Sequence, residues 1–327
     1  MKDLIAGFPS QLKEAVRIFQ NQQLPLLPRP AKQVLISGLG GSGIGGTIVA
    51  AMGQLKSPVP MWVVKDYALP AWVNPETLVI ISSYSGGTEE TLETLKQAIQ
   101  TGAMIICISS GGEVQSLATE HQIHCIQIPG GKPPRACLGY SLTQLFGIVD
   151  SYGIIPGLIS EMQNGIRLLE TEQEAIKAEA EAIARSISFS MPAIYSTPAY
   201  EGVAIRLRQQ LNENAKMLCW NHVVPEMNHN ELVGWAEKQP KIAALFLRNE
   251  DDYYRNARRM EICREIIQDL AGRTLEIFSK GENYTERLLY WIHLGDWISW
   301  FASVERNRDA MEINVINRLK GELSNLP

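Results

Sequence analysis

Three hydroxyl side chains lie close together in the segment 83–88 (Ser-Tyr-Ser-Gly-Gly-Thr), directly after an apolar run. A β-branched run that ends in glycine and hydroxyl residues, followed by a helical pattern, is typical of a strand–loop–helix unit. Backbone N–H groups at the start of such a helix, together with hydroxyls, bind a dianionic phosphate well. Thr88 could serve only as the helix N-cap, but capping leaves Ser83 and Ser85 without a role. The segment therefore predicts a phosphate-binding loop.

A second glycine-rich loop, 38–43 (Gly-Leu-Gly-Gly-Ser-Gly), follows the apolar run that ends at Ser37. It matches the G-x-G-x-x-G pattern of dinucleotide sites, and Asp66 lies where a ribose-binding acid would be expected. The glycines could equally serve a tight turn and close helix packing. A phosphomonoester benefits from a second hydroxyl-rich loop, whereas a dinucleotide does not need one. The pair of loops therefore favours a phosphorylated small molecule, with an NAD-dependent oxidoreductase as the alternative.

The elements that must hold these loops form two series of alternating strands and helices. In the first series, strands are predicted at 33–37, 60–64, 77–82, 104–108 and 123–127, and helices at 44–54, 88–100, 113–120 and 136–151. After a long polar helix at 159–186, strands follow at 193–196, 219–224, 241–247 and 273–278, and helices at 200–216, 252–270, 284–304 and 312–323. Apolar strands that alternate with helices indicate parallel sheets covered on both faces.

This alternation predicts an α/β fold of two doubly wound subdomains, each a parallel sheet flanked by helices. A leading helix and a proline-rich linker occupy 1–30. The first subdomain, with the phosphate loops, spans 31–153, and the second spans 154–327 and ends in a C-terminal helix. The boundary is placed at the glycine- and proline-containing stretch that begins at Tyr152.

Composition excludes several classes of protein. The chain has 327 residues and a net charge of −5, so it has no general basic field for nucleic acid. No apolar run is long enough to cross a bilayer, and the N-terminus lacks the apolar core of a signal peptide. The five cysteines are scattered without a C-x-x-C pair, and the histidine spacing does not build a metal site. We expect a cytoplasmic protein with no metal.

Six short motifs, in this order and spacing, make the chain resemble the sugar isomerase (SIS) domain family and, more closely, the bifunctional phosphoglucose/phosphomannose isomerases. They are the two loops at 38–43 and 83–88, Pro-Arg at 134–135, Asn-Glu-Asn-Ala-Lys at 212–216, Asn-His-Asn-Glu at 228–231 and Leu-Lys at 319–320. The resemblance runs over nearly the whole chain and fits both subdomains. It implies two SIS-type subdomains and a cofactor-free aldose–ketose isomerase of glucose 6-phosphate and mannose 6-phosphate, acting through a cis-enediol.

The resemblance also implies roles for individual residues. The phosphate would be held by Ser83, Ser85 and Thr88, and the sugar bordered by Gly40, Gly41 and Ser42. The remaining assignments are Arg135 beside the reacting carbons, Glu213 as the base that moves the proton, and His229 and Lys320 in ring opening. In this family the histidine is typically supplied by the neighbouring subunit, so a homodimer with shared active sites is implied.

Each of these charged residues also has a structural interpretation. Glu213 could form an ordinary helix pair with Lys216, and a lone loop arginine such as Arg135 is usually a surface charge. His229 could simply begin a helix capped by a neighbouring asparagine, and Lys320 could complement a helix dipole. A fixed cation does lower the barrier to an enediolate, and histidine suits proton transfer near neutral pH.

One segment departs from the family pattern. Where a Pro-Thr-Pro-like stretch is expected before the last helix, the chain has Asp-Ala-Met-Glu at 309–312. The threonine of that stretch has been associated in the family with acceptance of the mannose epimer. Its absence therefore bears on whether mannose 6-phosphate is a substrate, and not on the isomerase assignment itself. A sugar-phosphate sensor and an isomerase of another sugar phosphate remain as alternatives.

Overall fold

Two parallel β-sheets organise the protein, whose computed structural model describes residues 1–323. The first sheet has five strands, in the order β2-β1-β3-β4-β5: β1 (Gln33–Ser37), β2 (Met61–Val64), β3 (Thr77–Ser83), β4 (Met104–Ser109) and β5 (His124–Gln127). The second has four, in the order β7-β6-β8-β9: β6 (Met191–Ser196), β7 (Trp220–Val223), β8 (Gln239–Arg248) and β9 (Ala271–Phe278). The predicted α/β class with two parallel sheets is confirmed.

Helices cover the sheets. The α-helices are α1 (Lys2–Ala6), α2 (Phe8–Gln20), α3 (Gly40–Lys56), α4 (Glu89–Thr101), α5 (Gly112–Glu120), α6 (Leu138–Ser151), α7 (Leu158–Ile187), α8 (Glu201–Ala215), α9 (Glu231–Gly234), α10 (Tyr254–Ile267), α11 (Tyr284–Glu305) and α12 (Asn314–Leu323). Short 3₁₀ helices occupy Pro134–Ala136, Pro198–Tyr200 and Glu226–His229.

The central strands explain why the apolar runs are continuous rather than alternating. Every residue of β3 is buried, because helices lie on both faces of the sheet and leave neither face to water. The helix α11 packs along α7 and α8, and most of its side chains are buried. No helix within residues 1–323 combines the length and apolarity needed to span a membrane. All five cysteines are free thiols.

Strand order places the two glycine-rich loops side by side. In β1 and β3, Ser37 pairs with Ile81, so both strands end at the same edge of the sheet. The chain reaches β2 on one side of β1 and β3 on the other, and the crevice at such a reversal is where open α/β sheets bind ligands. The sheet therefore brings together the loops that the sequence separates by about 40 residues.

Most helix boundaries lie within three residues of the prediction, and two regions differ more. The helix expected at 44–54 begins four residues earlier, at Gly40, because the glycine segment folds into its first turn. A β-carbon on Gly43 would lie only 2.2 Å from the carbonyl oxygen of Gly38, so the turn can close this tightly only with glycine. The leading helix is divided at Gly7 into α1 and α2 and ends at Gln20, before the prolines.

Candidate active site

The loop 83–88 holds its three hydroxyls close to one another. Ser83 ends β3, and its Oγ donates a hydrogen bond to Oγ1 of Thr88 at 3.3 Å. The Oγ of Ser85 accepts a hydrogen bond from the backbone N–H of Gly87 at 3.3 Å. Thr88 occupies the N-cap position of α4, but within the described residues its side chain makes no capping hydrogen bond. Capping therefore does not account for the Thr88 hydroxyl, which is consistent with ligand binding.

Glycine is required at the centre of this loop. Gly86 has a φ of +69°, and a β-carbon there would lie 1.7 Å from the carbonyl oxygen of Gly111. The neighbouring loop is itself held by Ser109, whose hydroxyl donates to that same carbonyl at 2.8 Å. The phosphate-type loop thus packs directly against the turn after β4, and this close approach fixes its shape.

The loop 38–43 lies between the loop 83–88 and the Pro-Arg segment at 134–135. The hydroxyl oxygen of Ser42 accepts a hydrogen bond from the backbone N–H of Tyr84 at 3.0 Å. A β-carbon on Gly41 would lie 2.7 Å from the carbonyl oxygen of Pro134 and 3.2 Å from the nitrogen of Arg135. Gly40 is exposed, with a φ of +52°. The residues predicted to border the sugar therefore form a continuous surface from the phosphate-type loop to Arg135.

Arg135 is buried, with only 3% of its surface exposed, and its side chain contacts residues that follow it by 78 to 176 positions. Its Nε donates to Oδ1 of Asn214 at 2.9 Å, and one terminal nitrogen lies 3.4 Å from Oε2 of Glu213. The other terminal nitrogen donates to the carbonyl oxygens of Ala310 at 2.6 Å and Met311 at 3.3 Å. A surface role for this arginine is excluded, because its donors are bound by fixed acceptors.

A buried polar network on helices α8 and α11 holds Arg135 in place. Asn214 donates to the hydroxyl of Ser299 on α11 at 2.9 Å. On the same helix, Asp296 accepts from Arg206 at 2.7 Å and from Gln210 at 2.8 Å. Arg206 also donates to the backbone carbonyl of Arg135 at 3.1 Å. Helices α8 and α11 therefore fix both the backbone and the guanidinium of Arg135.

Electrostatics at Arg135 favour an anion beside it. Burial lowers the pKa of the guanidinium, and the carboxylates of Glu213 and Asp309 act in the opposite direction. The side chain of Glu213 is 29% exposed, so its carboxylate is accessible while it faces a buried cation. A cleft of about 330 Å³ opens beside Glu213, and its lining residues are Asn212, Glu213, Lys216, Glu312, Ile313, Val315 and Ile316. A negative charge that develops beside the Glu213 carboxylate would lie near the preorganised cation of Arg135.

Lys216 does not pair with the carboxylate of Glu213 in the way that their spacing allows. Its ammonium donates to the backbone carbonyls of Glu213 at 2.6 Å, Asp309 at 2.9 Å and Glu312 at 2.7 Å. The ordinary helix pair is therefore not formed. The carboxylate of Glu213 instead faces Arg135, as a base beside the reacting carbons would require.

His229 lies apart from this group within one chain. It ends the 3₁₀ helix Glu226–His229 on the outside of the second sheet, and its side chain is exposed. Asn230 caps α9 by accepting from the N–H of Glu231 at 2.6 Å, so helix capping in this segment is carried out by that asparagine. Within residues 1–323, the His229 ring makes no hydrogen bond and no ion pair.

The segment around His229 is nevertheless firmly built. The carboxylate of Glu231 accepts from the hydroxyl of Tyr195 at 2.6 Å and from the indole of Trp220 at 3.0 Å, and it contacts Nδ1 of His222 at 2.7 Å. Asn228 donates to Cys263 at 2.8 Å. A fixed backbone thus presents an exposed imidazole.

Lys320 lies on α12, whose described residues are all exposed. The beginning of this helix lines the cleft beside Glu213 through Val315 and Ile316. Over residues 1–323 the Lys320 ammonium has no hydrogen-bond or ion-pair partner. The helix therefore brings Lys320 to the region of the cleft without a contact that fixes its side chain.

Comparisons with known proteins place this arrangement in a family. A family model described as the bacterial phospho-glucose isomerase C-terminal SIS domain matches residues 176–323, and an SIS domain model matches 29–143. A curated bifunctional phosphoglucose/phosphomannose isomerase from Caldicellulosiruptor bescii is 33% identical over 100% of this chain and 99% of its own length. One of the same name from Aquifex aeolicus is 34% identical over 90% and 91% of the two chains.

This chain belongs to the family of bifunctional phosphoglucose/phosphomannose isomerases. Among solved structures, the C-terminal domain of glucosamine-fructose-6-phosphate aminotransferase from Francisella tularensis superposes with a TM-score of 0.73 at 15% identity, over 94% of this chain and 97% of that one. That likeness concerns the fold alone, and the expected SIS-type architecture is confirmed by the two family models.

The family motifs contain some structurally important residues that sequence reasoning did not single out. Asn214 and Lys216 flank Glu213 in the motif at 212–216, yet their contacts with residues 135 and 309–312 are unpredictable from spacing. Arg206 and Asp296 carry no local signal, because their ion pair joins positions 90 residues apart. Within residues 1–323, no group of three histidine, cysteine or acidic side chains is placed to hold a metal ion.

Proposed function

We propose that this protein is an aldose–ketose isomerase that interconverts glucose 6-phosphate and mannose 6-phosphate with fructose 6-phosphate without a cofactor. The observation that carries the proposal is the half-exposed carboxylate of Glu213 beside the buried guanidinium of Arg135. Arg135 adjoins the loop 38–43 at Gly41, and Ser42 of that loop binds the backbone of the loop 83–88, which supports the proposal in a chain that aligns over 100% of its length with a named isomerase.

In the proposed mechanism, Ser83, Ser85 and Thr88 bind the phosphate, and Gly40, Gly41 and Ser42 border the sugar. The open-chain substrate then presents its carbonyl end towards Arg135. Glu213 removes the proton from the carbon beside the carbonyl and returns it to the neighbouring carbon, while the hydroxyl proton passes between the two oxygens of the cis-enediol, so one carboxylate serves both proton transfers at carbon. The negative charge that builds on oxygen in between is stabilised by the cation of Arg135.

His229 and Lys320 are proposed to open the sugar ring, which needs one group to give a proton and one to accept it. Histidine exchanges protons readily near neutral pH because its ordinary pKa lies close to that range. Both side chains are exposed and have no partner within residues 1–323, so Lys320 is available to a sugar in its own chain's cleft and His229 to a sugar bound by the neighbouring subunit.

A coupled assay with glucose 6-phosphate and mannose 6-phosphate as separate substrates tests this function. We expect turnover of both substrates. In a separate binding test, the fluorescence of NADH should not change when the protein is added. Because backbone carbonyls hold residues 309–312 in place, the altered sequence there is expected to be tolerated. Tight binding of hexose 6-phosphates without turnover would favour the sensor, turnover of another sugar phosphate would reassign the substrate, and NADH binding would favour the oxidoreductase.

We also propose a homodimer with shared active sites, working in a reducing cytoplasm, where its five free thiols would persist. Two observations support the dimer. The His229 ring is exposed on a fixed segment, and the apolar side of α12 is open, with Val315 83% and Leu319 58% exposed. Exposed apolar surface of this kind is typical of a contact with another chain.

Mixing two inactive variants tests the shared site. If His229 acts on the Glu213 of the other subunit, dimers formed from Glu213→Gln and His229→Ala chains contain one intact site each. After subunits exchange at random, about one quarter of the wild-type activity should return, because half of the dimers are hybrids with one of two sites restored. A monomer by light scattering, or a mixture that stays inactive despite measured exchange, would contradict the shared site.

A further inference from the structure

Lys216 lies three residues after the proposed base, Glu213. It ends α8 in the left-handed region, with a φ of 55°, and its side chain folds back over the end of the helix. Its ammonium donates to the carbonyl of Glu213 in that last turn and, across the cleft, to the carbonyls of Asp309 and Glu312. The carboxylate of Glu312 adds an ion pair at 3.9 Å.

Two cations together bind four consecutive carbonyls. Lys216 binds those of residues 309 and 312, while Arg135 binds those of residues 310 and 311. The segment is therefore held through its backbone, from one side by the residue beside the proposed base and from the other by the proposed enediolate cation. Apart from the Glu312 carboxylate, which pairs with Lys216 at 3.9 Å, these contacts use the backbone of the segment. This clamp, formed by Lys216 and Arg135 on residues 309–312, is therefore compatible with a sequence that differs from the family pattern.

The ammonium of Lys216 has three N–H donors, and each is used by a carbonyl oxygen. It therefore has no donor left for a sugar. Its position at the carboxyl end of α8 also places a positive charge where the helix dipole favours one. These contacts fix geometry rather than move protons.

We propose that Lys216 is a positioning residue that locks residues 309–312, and with them the beginning of α12, against Glu213. The segment forms one wall of the cleft and leads into the helix that carries Lys320. The proposal rests on the proposed function for its effect on turnover, but the clamp itself is a structural claim that can be measured separately.

The test is Lys216→Met, which keeps the aliphatic stem and removes the donors, with Lys13→Met as the matched control. Within residues 1–323, the ammonium of Lys13 pairs with Glu170 alone, on the surface. We expect Lys216→Met to lower kcat for glucose 6-phosphate by about 10–100-fold, because a small misplacement of a catalytic group has effects of this size. KM should change by less than about threefold, since the phosphate-type loops make none of these contacts.

Amide hydrogen exchange of residues 309–323 provides a readout that does not depend on activity. In Lys216→Met these amides should exchange at least about tenfold faster than in the wild type, and in Lys13→Met at the wild-type rate. Unchanged exchange, or an unchanged kcat in a folded variant, would overturn the proposal. If the wild type proves inactive, the isomerase assignment fails while the exchange result still decides the clamp. Lys216→Gln, which keeps two donors, replaces the methionine variant if that one does not fold.

Discussion

Replacement of Glu213 by glutamine is expected to lower kcat for glucose 6-phosphate by about 10³-fold, with KM changed by less than about threefold. Glutamine keeps the shape and the hydrogen-bonding oxygen beside Arg135 but cannot take a proton. The phosphate-type loops lie on the first sheet and stay intact, so substrate binding should persist. The measurement is steady-state kinetics, supported by deuterium incorporation from heavy water into the product, which the variant should lose.

The matched control for this variant is Glu237→Gln, a change at an exposed glutamate with no hydrogen bond or ion pair in residues 1–323. It should behave as wild type. Glu213→Asp keeps the carboxylate but withdraws it, and it should retain more activity than the glutamine variant. Full turnover and deuterium incorporation in folded Glu213→Gln would rule out this residue as the base.

The second large effect is expected on the free energy of unfolding, when the buried ion pair between Asp296 and Arg206 is broken. Asp296 and Arg206 are both almost fully buried. Burial raises the pKa of Asp296, while Arg206 and Gln210 act to lower it, so the pair exists against a desolvation cost. Asp296→Ala leaves the Arg206 cation buried without its partner. The free energy of unfolding should fall by about 3–5 kcal/mol, as measured by denaturant titration.

A double variant distinguishes a lost attraction from a stranded charge. Asp296→Leu combined with Arg206→Met removes both charges, and most of the lost stability should return because no buried charge remains unpaired. Activity should not return, since Arg206 also binds the backbone carbonyl of Arg135. Asp269→Ala, at an exposed aspartate, is the control and should change stability by less than about 0.5 kcal/mol. A similar small effect in Asp296→Ala would contradict the role given to the pair.

The sheets were predictable because their signal is local. An apolar run such as that of β3 is visible within seven residues, and the loop that follows it carries its own glycines and hydroxyls. The beginning of α3 was not predictable, because Gly40 and Gly41 resemble a loop in isolation. Gly41 must be glycine because a β-carbon there would lie 2.7 Å from the carbonyl oxygen of Pro134, more than 90 positions later, whereas Gly40 has open space and a φ of +52°.

The residues of the candidate site show the same difference between local and long-range signals. The phosphate-type hydroxyls could be found from the residues alone, whereas Glu213 and Arg135 stood out only through the resemblance to a family. Spacing favoured a pair between Glu213 and Lys216, yet the lysine binds backbone carbonyls and the glutamate faces an arginine 78 residues away. Contacts of that range depend on how the two sheets are assembled, which no window of sequence contains.

The reach of Arg135 across the molecule has a consequence for the order of events during synthesis. The arginine leaves the ribosome 175 residues before Ala310, the partner that accepts its shortest hydrogen bond. Asn214 follows after 79 residues, but the carbonyls of residues 309–312 become available to the guanidinium only when that segment has been made. Under the proposed mechanism, a nascent chain would therefore contain the loops 38–43 and 83–88 well before Arg135 could be oriented beside Glu213, and proton transfer would begin only after residues 309–312 had been made.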